Sequence, residues 1–250
     1  MKKLKAPLLF SFAMLPIAAI AGYVTILYQL DFIDAATLAT TVEQLGSVEA
    51  IIAVYIVQIM LYACLCGFFG HILSENIGLM KPLCFQKRQT VITILLSSFA
   101  GILLALDYWT FGAVIPGIQE ADAAMLKPHV IAASILYGGI IEELMLRLFF
   151  MSLVAFVLWK LIFRKQSRIP EGVLIMANVI SAILFAAGHL PATLAMFADI
   201  TLLILFRCFL LNGGFGLMFG WLYRRYGIQY SMLSHALAHV VSKLIWLLFI

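Results

Sequence analysis

From Pro7 to Ile250 the chain is a succession of apolar runs separated by short polar segments. A helix rises about 1.5 Å per residue, so about 20 apolar residues cross the roughly 30 Å hydrocarbon core of a bilayer. The runs fall at about 7–29, 49–73, 90–107, 129–159, 172–190, 193–211, 213–226 and 230–250. The fourth is overlong, as a tilted or broken helix would be. The seventh is short and rich in glycine (Gly213, Gly214, Gly216, Gly220), which suits close helix packing. Composition agrees: 64% of residues are hydrophobic and only 11% charged, with a mean hydropathy of +1.09. So little charge cannot cover a water-facing surface, and no stretch is polar enough to fold as a soluble domain. The fold class read from this pattern is an all-α, polytopic transmembrane helix bundle of about eight spanning helices. It forms a single integral membrane domain over residues 1–250.

Lys2, Lys3 and Lys5 precede the first run, an arrangement shared with signal peptides, and Ala19-Ile20-Ala21 has the form of a cleavage site. The run is about 23 residues, longer than a signal-peptide core and long enough to span, so it reads as an uncleaved first helix. Cys64, Cys66, Cys84 and Cys208 contain no CxxC pair and read as small buried hydrophobes, not as a disulfide framework. The N-terminus and the loops at 74–89 and 160–171 hold ten Lys and Arg residues, whereas 31–49 is acidic. The positive-inside rule therefore expects a multi-pass protein of the cell membrane with its N-terminus in the cytoplasm. In an eight-span count Arg224 and Arg225 fall on the wrong side. Fusing 201–225 into one span would move them.

Ionisable residues inside a span carry the functional signal. Residues 140–150 contain Glu142, Glu143 and Arg147 in an otherwise apolar run. At roughly 2.5–3.5 kcal/mol per mid-helix charge, this trio would cost on the order of 7–10 kcal/mol if unpaired, so it should face a bundle interior or a wet cavity. Glu143 and Arg147 stand i,i+4 with the acid first, the favourable order for an ion pair. Glu142 is rotated about 100° away and has no cation on its own helix, the setting for a general acid/base. His189 closes one late run, and His235 and His239 stand i,i+4 in the last, on one face. His71 and His129 lie near span ends and read as interfacial. If Glu142 and the three histidines form one site, His189 and His235 must share a side. Eight spans provide that and a fused helix does not, so eight are expected, with the site towards the non-cytoplasmic half.

Glu142-Glu143-x-x-x-Arg147, Phe185-x-x-x-His189 and His235-x-x-x-His239, in that order on separate late helices, resemble the three motifs of the CPBP family. These are the CAAX proteases and bacteriocin-processing enzymes, also called Abi or type II CAAX prenyl endopeptidases. The resemblance covers about residues 129–245, the expected catalytic core. It implies an intramembrane endopeptidase in which Glu142 activates water with His189, while His235 and His239 stabilise the oxyanion. Arg147 would orient the glutamates and Phe185 would pack beside the site. The chain departs from the family pattern twice: His239 replaces a common Asn, and Arg147 lies between Leu146 and Leu148, where the family commonly follows the Arg with an aromatic and Gly.

Three alternatives remain open at this level. The same three histidines and a glutamate are a legitimate zinc set, with His-x-x-x-His on one helix face, although the preferred reading requires no cofactor. A non-catalytic membrane protein, such as a bacteriocin self-immunity factor, could use the Glu-Arg cluster as a clamp. A proton-coupled transporter could use it as a relay, although no internal repeat is visible. The partners implied are a membrane-associated protein or peptide substrate and the lipid bilayer. No basic face with interleaved aromatics points to nucleic acid.

Overall fold

A computed structural model describes residues 2–197 and 199–250. Its helices are α1 (Lys2–Leu30), α2 (Ala35–Leu45), α3 (Val48–Asn76), α4 (Lys87–Ala105), α5 (Ile118–Ala124), α6 (Pro128–Ile162), α7 (Glu171–Gly188), α8 (Leu190–Met196), α9 (Leu202–Tyr226) and α10 (Ile228–Phe249). No strand occurs among the described residues. Without water in the bilayer core every backbone donor and acceptor must be met inside the chain, which helices do segment by segment. Polar side chains close the ends. Asp34 accepts from Thr37 N at 2.9 Å, Ser47 from Ala50 N at 3.2 Å and Thr201 from Ile204 N at 3.3 Å.

Seven helices are long and apolar enough to cross a membrane, α4 continuing through 3₁₀ turns to Ala113 and α7 through α8 to Met196. The bundle expected from sequence is therefore present with one span fewer. The runs at 193–211 and 213–226 are not two helices. The preceding span ends at Met196, and a single helix runs from Leu202 to Tyr226, passing Phe209–Gly213 as a wide π turn. Glycine weakens a helix in water. Here Gly216 is held against Ala182 and Phe185 of α7, and packing overrides propensity.

This single crossing moves Arg224 and Arg225 to the side of the N-terminus. Lys81 Nζ donates to the Arg225 carbonyl, and Arg224 pairs with Glu171. Twelve of the 16 Lys and Arg residues then lie on that side, counting span-end Lys160, and only Lys127 lies in the opposite loops. At that opposite end Lys127 and His129 both bond Asp31, at 2.9 and 2.8 Å. These bonds hold the Asp31 carboxyl below its ordinary range. His129 is thus at an interface as expected, whereas His71 is buried beside Phe10. Of the cysteines, Cys208 is buried, Cys64 and Cys66 are half-buried and Cys84 is exposed in the 77–86 loop, so that one departs from expectation.

The α9–α10 reversal rests on Gly227, whose φ of 110° a side chain would strain. It turns α10 back between α4 and α6. The approach of α10 to α6 is set at Gly139. A Cβ there would stand 2.7 Å from Ala236 Cβ and 2.9 Å from its Cα, so the backbones meet with no side chain between. Gly139→Ala should therefore destabilise the bundle by about 1–3 kcal/mol, the opposite sign to the usual gain of Ala in a helix. Gly172→Ala, which meets nothing within 4 Å, should be neutral or mildly stabilising. Thermal unfolding in detergent reads both. Equal midpoints would show that the α6–α10 contact does not depend on this glycine.

Candidate active site

The site is assembled where α6, α7, α9 and α10 converge, with Glu143 near the midpoint of α6 and His235 two turns into α10. Both positions lie well inside their spans and not at a helix end. His189 and His235 do follow opposite ends of their helices. They approach because His235 is set well inside α10 and Phe185, one turn before His189, reaches across to it. From Ser134 to Met151, apart from Glu143 itself, α6 has π-helical hydrogen bonding. Such widened turns are rare and concentrate at functional positions.

Glu143 and Arg147 have no solvent exposure at all. Charges so placed persist only when paired and hydrogen-bonded. Arg147 Nη1 lies 3.1 Å from Glu143 Oε1, the pairing that the i,i+4 spacing implies. Arg147 Nη2 donates to the Gly216 carbonyl at 3.2 Å, and the guanidinium lies 4.5 Å from the Phe185 ring centre and 5.6 Å from that of Phe219. Two aromatic faces thus replace part of the lost hydration. Glu143 Oε1 also accepts from His235 Nδ1 at 2.9 Å, and Oε2 accepts from Ser231 Oγ. Both oxygens are occupied. With three side-chain partners and no exposure, Glu143 is an orienting anion.

That contact fixes His235. Its Nδ1 carries the hydrogen given to Glu143, so its Nε2 is the free nitrogen. Phe219 stacks on the ring at 4.4 Å and 18°, and Phe185 meets it edge-on at 5.7 Å. His239 lies one turn on, ring centres 5.1 Å apart. A Cβ on Gly138 would stand 3.6 Å from His235 Nε2 and 3.3 Å from His239 Nε2, so both nitrogens converge on this bare stretch of α6 backbone. His239 Nδ1 is buried without a partner among the described residues. His189 Nδ1 donates to the Phe185 carbonyl at 2.8 Å, which leaves its Nε2 as an acceptor. The Phe185 ring touches His189 at 4.7 Å, making Phe185 the common wall between the two histidines.

Glu142 is half-buried and has no side-chain hydrogen bond or ion pair among the described residues. It therefore differs from Glu143 as the sequence implies, but no direct bond joins it to His189, His235 or His239. No three His, Cys, Asp or Glu side chains gather as a metal-ligand set among the described residues. Sequence reasoning missed Ser231, Phe219 and Gly138. Ser231 had a signal, one turn before His235 on the same face. Phe219 and Gly138 had none, since each is defined only by what packs on it.

Breaking the buried pair should be costly. Arg147→Met leaves Glu143 charged at zero exposure, an expected loss of about 3–5 kcal/mol. Glu142→Gln, which removes no bond, should leave the unfolding midpoint unchanged. A melt in which Arg147→Met matches wild type would show that the ion pair does not hold the site.

No curated protein and no solved structure matches the chain. Residues 125–241 match a family model described as type II CAAX prenyl endopeptidase Rce1-like. The match spans all three motifs and ends two residues beyond His239. The matched segment holds the helices that build the site, from the start of α6 into α10, and is similar to the type II CAAX prenyl endopeptidase Rce1-like family.

Proposed function

We propose that this protein hydrolyses a peptide bond of a membrane-associated protein by a glutamate mechanism that needs no metal. The observation that carries the reading is the division of labour between adjacent carboxylates. Glu143 is engaged by Arg147, His235 and Ser231, while Glu142 is left without a partner among the described residues. Amide hydrolysis requires a base for water, donors for the oxyanion and a proton for the leaving amine. Glu142 takes a proton from water, with His189 Nε2 as the second acceptor. The hydroxide adds to the carbonyl carbon, and the oxyanion is met by Nε2 of His235 and of His239. The proton held by Glu142 and His189 then passes to the amine as the C–N bond breaks.

The tautomers add detail. Because His235 gives its Nδ1 hydrogen to Glu143, its Nε2 can donate only when the ring carries both hydrogens. His239 can donate from Nε2 as neutral imidazole, the service an Asn amide would perform in its place. Arg147 and Phe185 act through Glu143, His235 and His189 as positioning residues. The distribution of Lys and Arg supports an N-terminus in the cytoplasm of a cell-membrane protein. The substrate class this implies is a CAAX-type membrane-associated protein.

Glu142→Gln keeps size and hydrogen bonding but removes the base. Comparing membrane-protein termini in cells carrying wild type or Glu142→Gln should reveal uncut precursors in the mutant alone. Matching termini at equal expression would sink the protease reading. In purified protein His235→Ala should lower the cleavage rate by about 10²–10³ with the fold retained. One tightly bound zinc per chain, with activity lost to chelation, would replace the metal-free mechanism.

A further inference from the structure

Within the bundle α3 is packed along one side. A Cβ on Gly70 would stand 2.9 Å from the Leu148 backbone of α6, and one on Gly22 of α1 would stand 3.0 Å from Ile56 Cα. Ile59, Ala63, Gly67, Gly70 and Ser74, which form this side of α3, are buried. The opposite face is open. Val54, Leu61 and Leu65 are 51%, 53% and 46% exposed, and Gln58 lies exposed among them.

Open apolar side chains are ordinary on the outside of a membrane bundle, where lipid covers them. An amide is not. Gln58 lies one turn before Tyr62, the midpoint of the 29-residue α3. Among the described residues it is the one exposed amide or charged side chain in the middle half of a candidate span. Its Nε2 donates to Tyr62 Oη at 2.7 Å, one turn on along the same helix. That bond uses one of the two amide hydrogens. The other hydrogen, the carbonyl oxygen Oε1 and the Tyr62 hydroxyl hydrogen have no further partner among the described residues, and lipid tails supply none. Spacing adds a second observation. Val54, Gln58, Leu61, Leu65 and Phe68 stand alternately four and three residues apart. This is the repeat that keeps two helices in contact along one seam, and a single polar member of such a seam fixes register and partner number.

We infer that α3 is the contact between two copies of this protein lying side by side in one membrane, with the two Gln58 amides bonded across the two-fold axis. The occupant follows from the chemistry. Copies inserted in the same orientation hold their Gln58 side chains at the same depth. A primary amide carries donor and acceptor together and so complements itself, Nε2 of each copy reaching Oε1 of the other in an isologous contact. The Tyr62 hydroxyl, drawn to Gln58 by its own bond, brings a further donor to the same place. Between helices in a bilayer, such hydrogen bonds and close packing replace the hydrophobic effect as the source of association. The inference is independent of the peptidase reading, since no residue of the seam belongs to the candidate site.

The test uses the full chain, labelled at its N-terminus with a donor or an acceptor fluorophore and reconstituted in phosphatidylcholine vesicles over a range of protein-to-lipid ratios. Energy transfer in wild type should rise with density and saturate as a dimer does. Gln58→Leu should need about tenfold higher density for half-saturation, the scale of interhelical hydrogen bonds in a bilayer. Gln58→Asn, which keeps the amide, should retain most of the association. Leu95→Ala, exposed on α4 instead, should leave the curve unchanged. A second measurement replaces Gln58 by the photoreactive p-benzoylphenylalanine and irradiates native membranes, where an adduct of twice the chain mass is expected. Wild type that stays monomeric at every density overturns the contact, as does a half-saturation density unmoved in Gln58→Leu. Adducts formed only with lipid, or only with other proteins, overturn it as well. If Gln58→Leu proves unstable, the cross-link decides alone.

Discussion

The fully buried Glu143–Arg147 pair is the constraint to which the rest of the site answers. Two opposite charges at zero exposure in a bilayer have no solvent to fall back on, so the protein itself must pair them, and Arg147 Nε and Nη1 still find no hydrogen-bond acceptor among the described residues. His235 and Ser231 come from α10, Gly216 from α9 and the Phe185 ring from α7. Meeting the needs of one ion pair on α6 thus requires three other helices at a defined register. The same contacts present His235 Nε2 beside His239 Nε2, so what satisfies the buried charge also aims the donors.

Two local features make that register possible. The π-helical stretch of α6 changes which residues face α10 without ending the helix. Gly139 removes the side chain that would otherwise hold the two helices apart. The candidate site is therefore built on rigid spans and not on loops, which suits a membrane, where irregular backbone has no water to bond.

Polarity along α10 also organises the molecule along the membrane normal. Ser231 and His235 answer Glu143, His239 stands over Gly138, and Lys243 continues towards the Asp107–Arg207 and Asp122 charges near the other surface. Charge inside the protein is thus divided into one cluster well inside the spans and another nearer their ends, with a lysine between them that pairs with no carboxylate among the described residues.

Much of this was legible in one sequence. Apolar run lengths determined the helical membrane fold, because a bilayer leaves a chain few other options. Charges in mid-run marked the site, because burying them is expensive, and the i,i+4 spacing of Glu143 and Arg147 foretold their pairing. The count of spans was not legible. Gly213 and Gly214 look like a break, and only the packing of Gly216 on α7 shows why the helix continues. The assumption that His189 and His235 enter from one side failed for a related reason, since depth in a bundle depends on where helices cross and not on distance from a run's end. Ser231, Phe219 and Gly138 acquire meaning only through neighbours far along the chain. Sequence by itself determined the solvent, the element type and the chemical groups. The tertiary structure decided which carboxylate other helices engage, which nitrogens converge and which lysine meets no acceptor among the described residues, because each depends on contacts between helices and none on spacing within one.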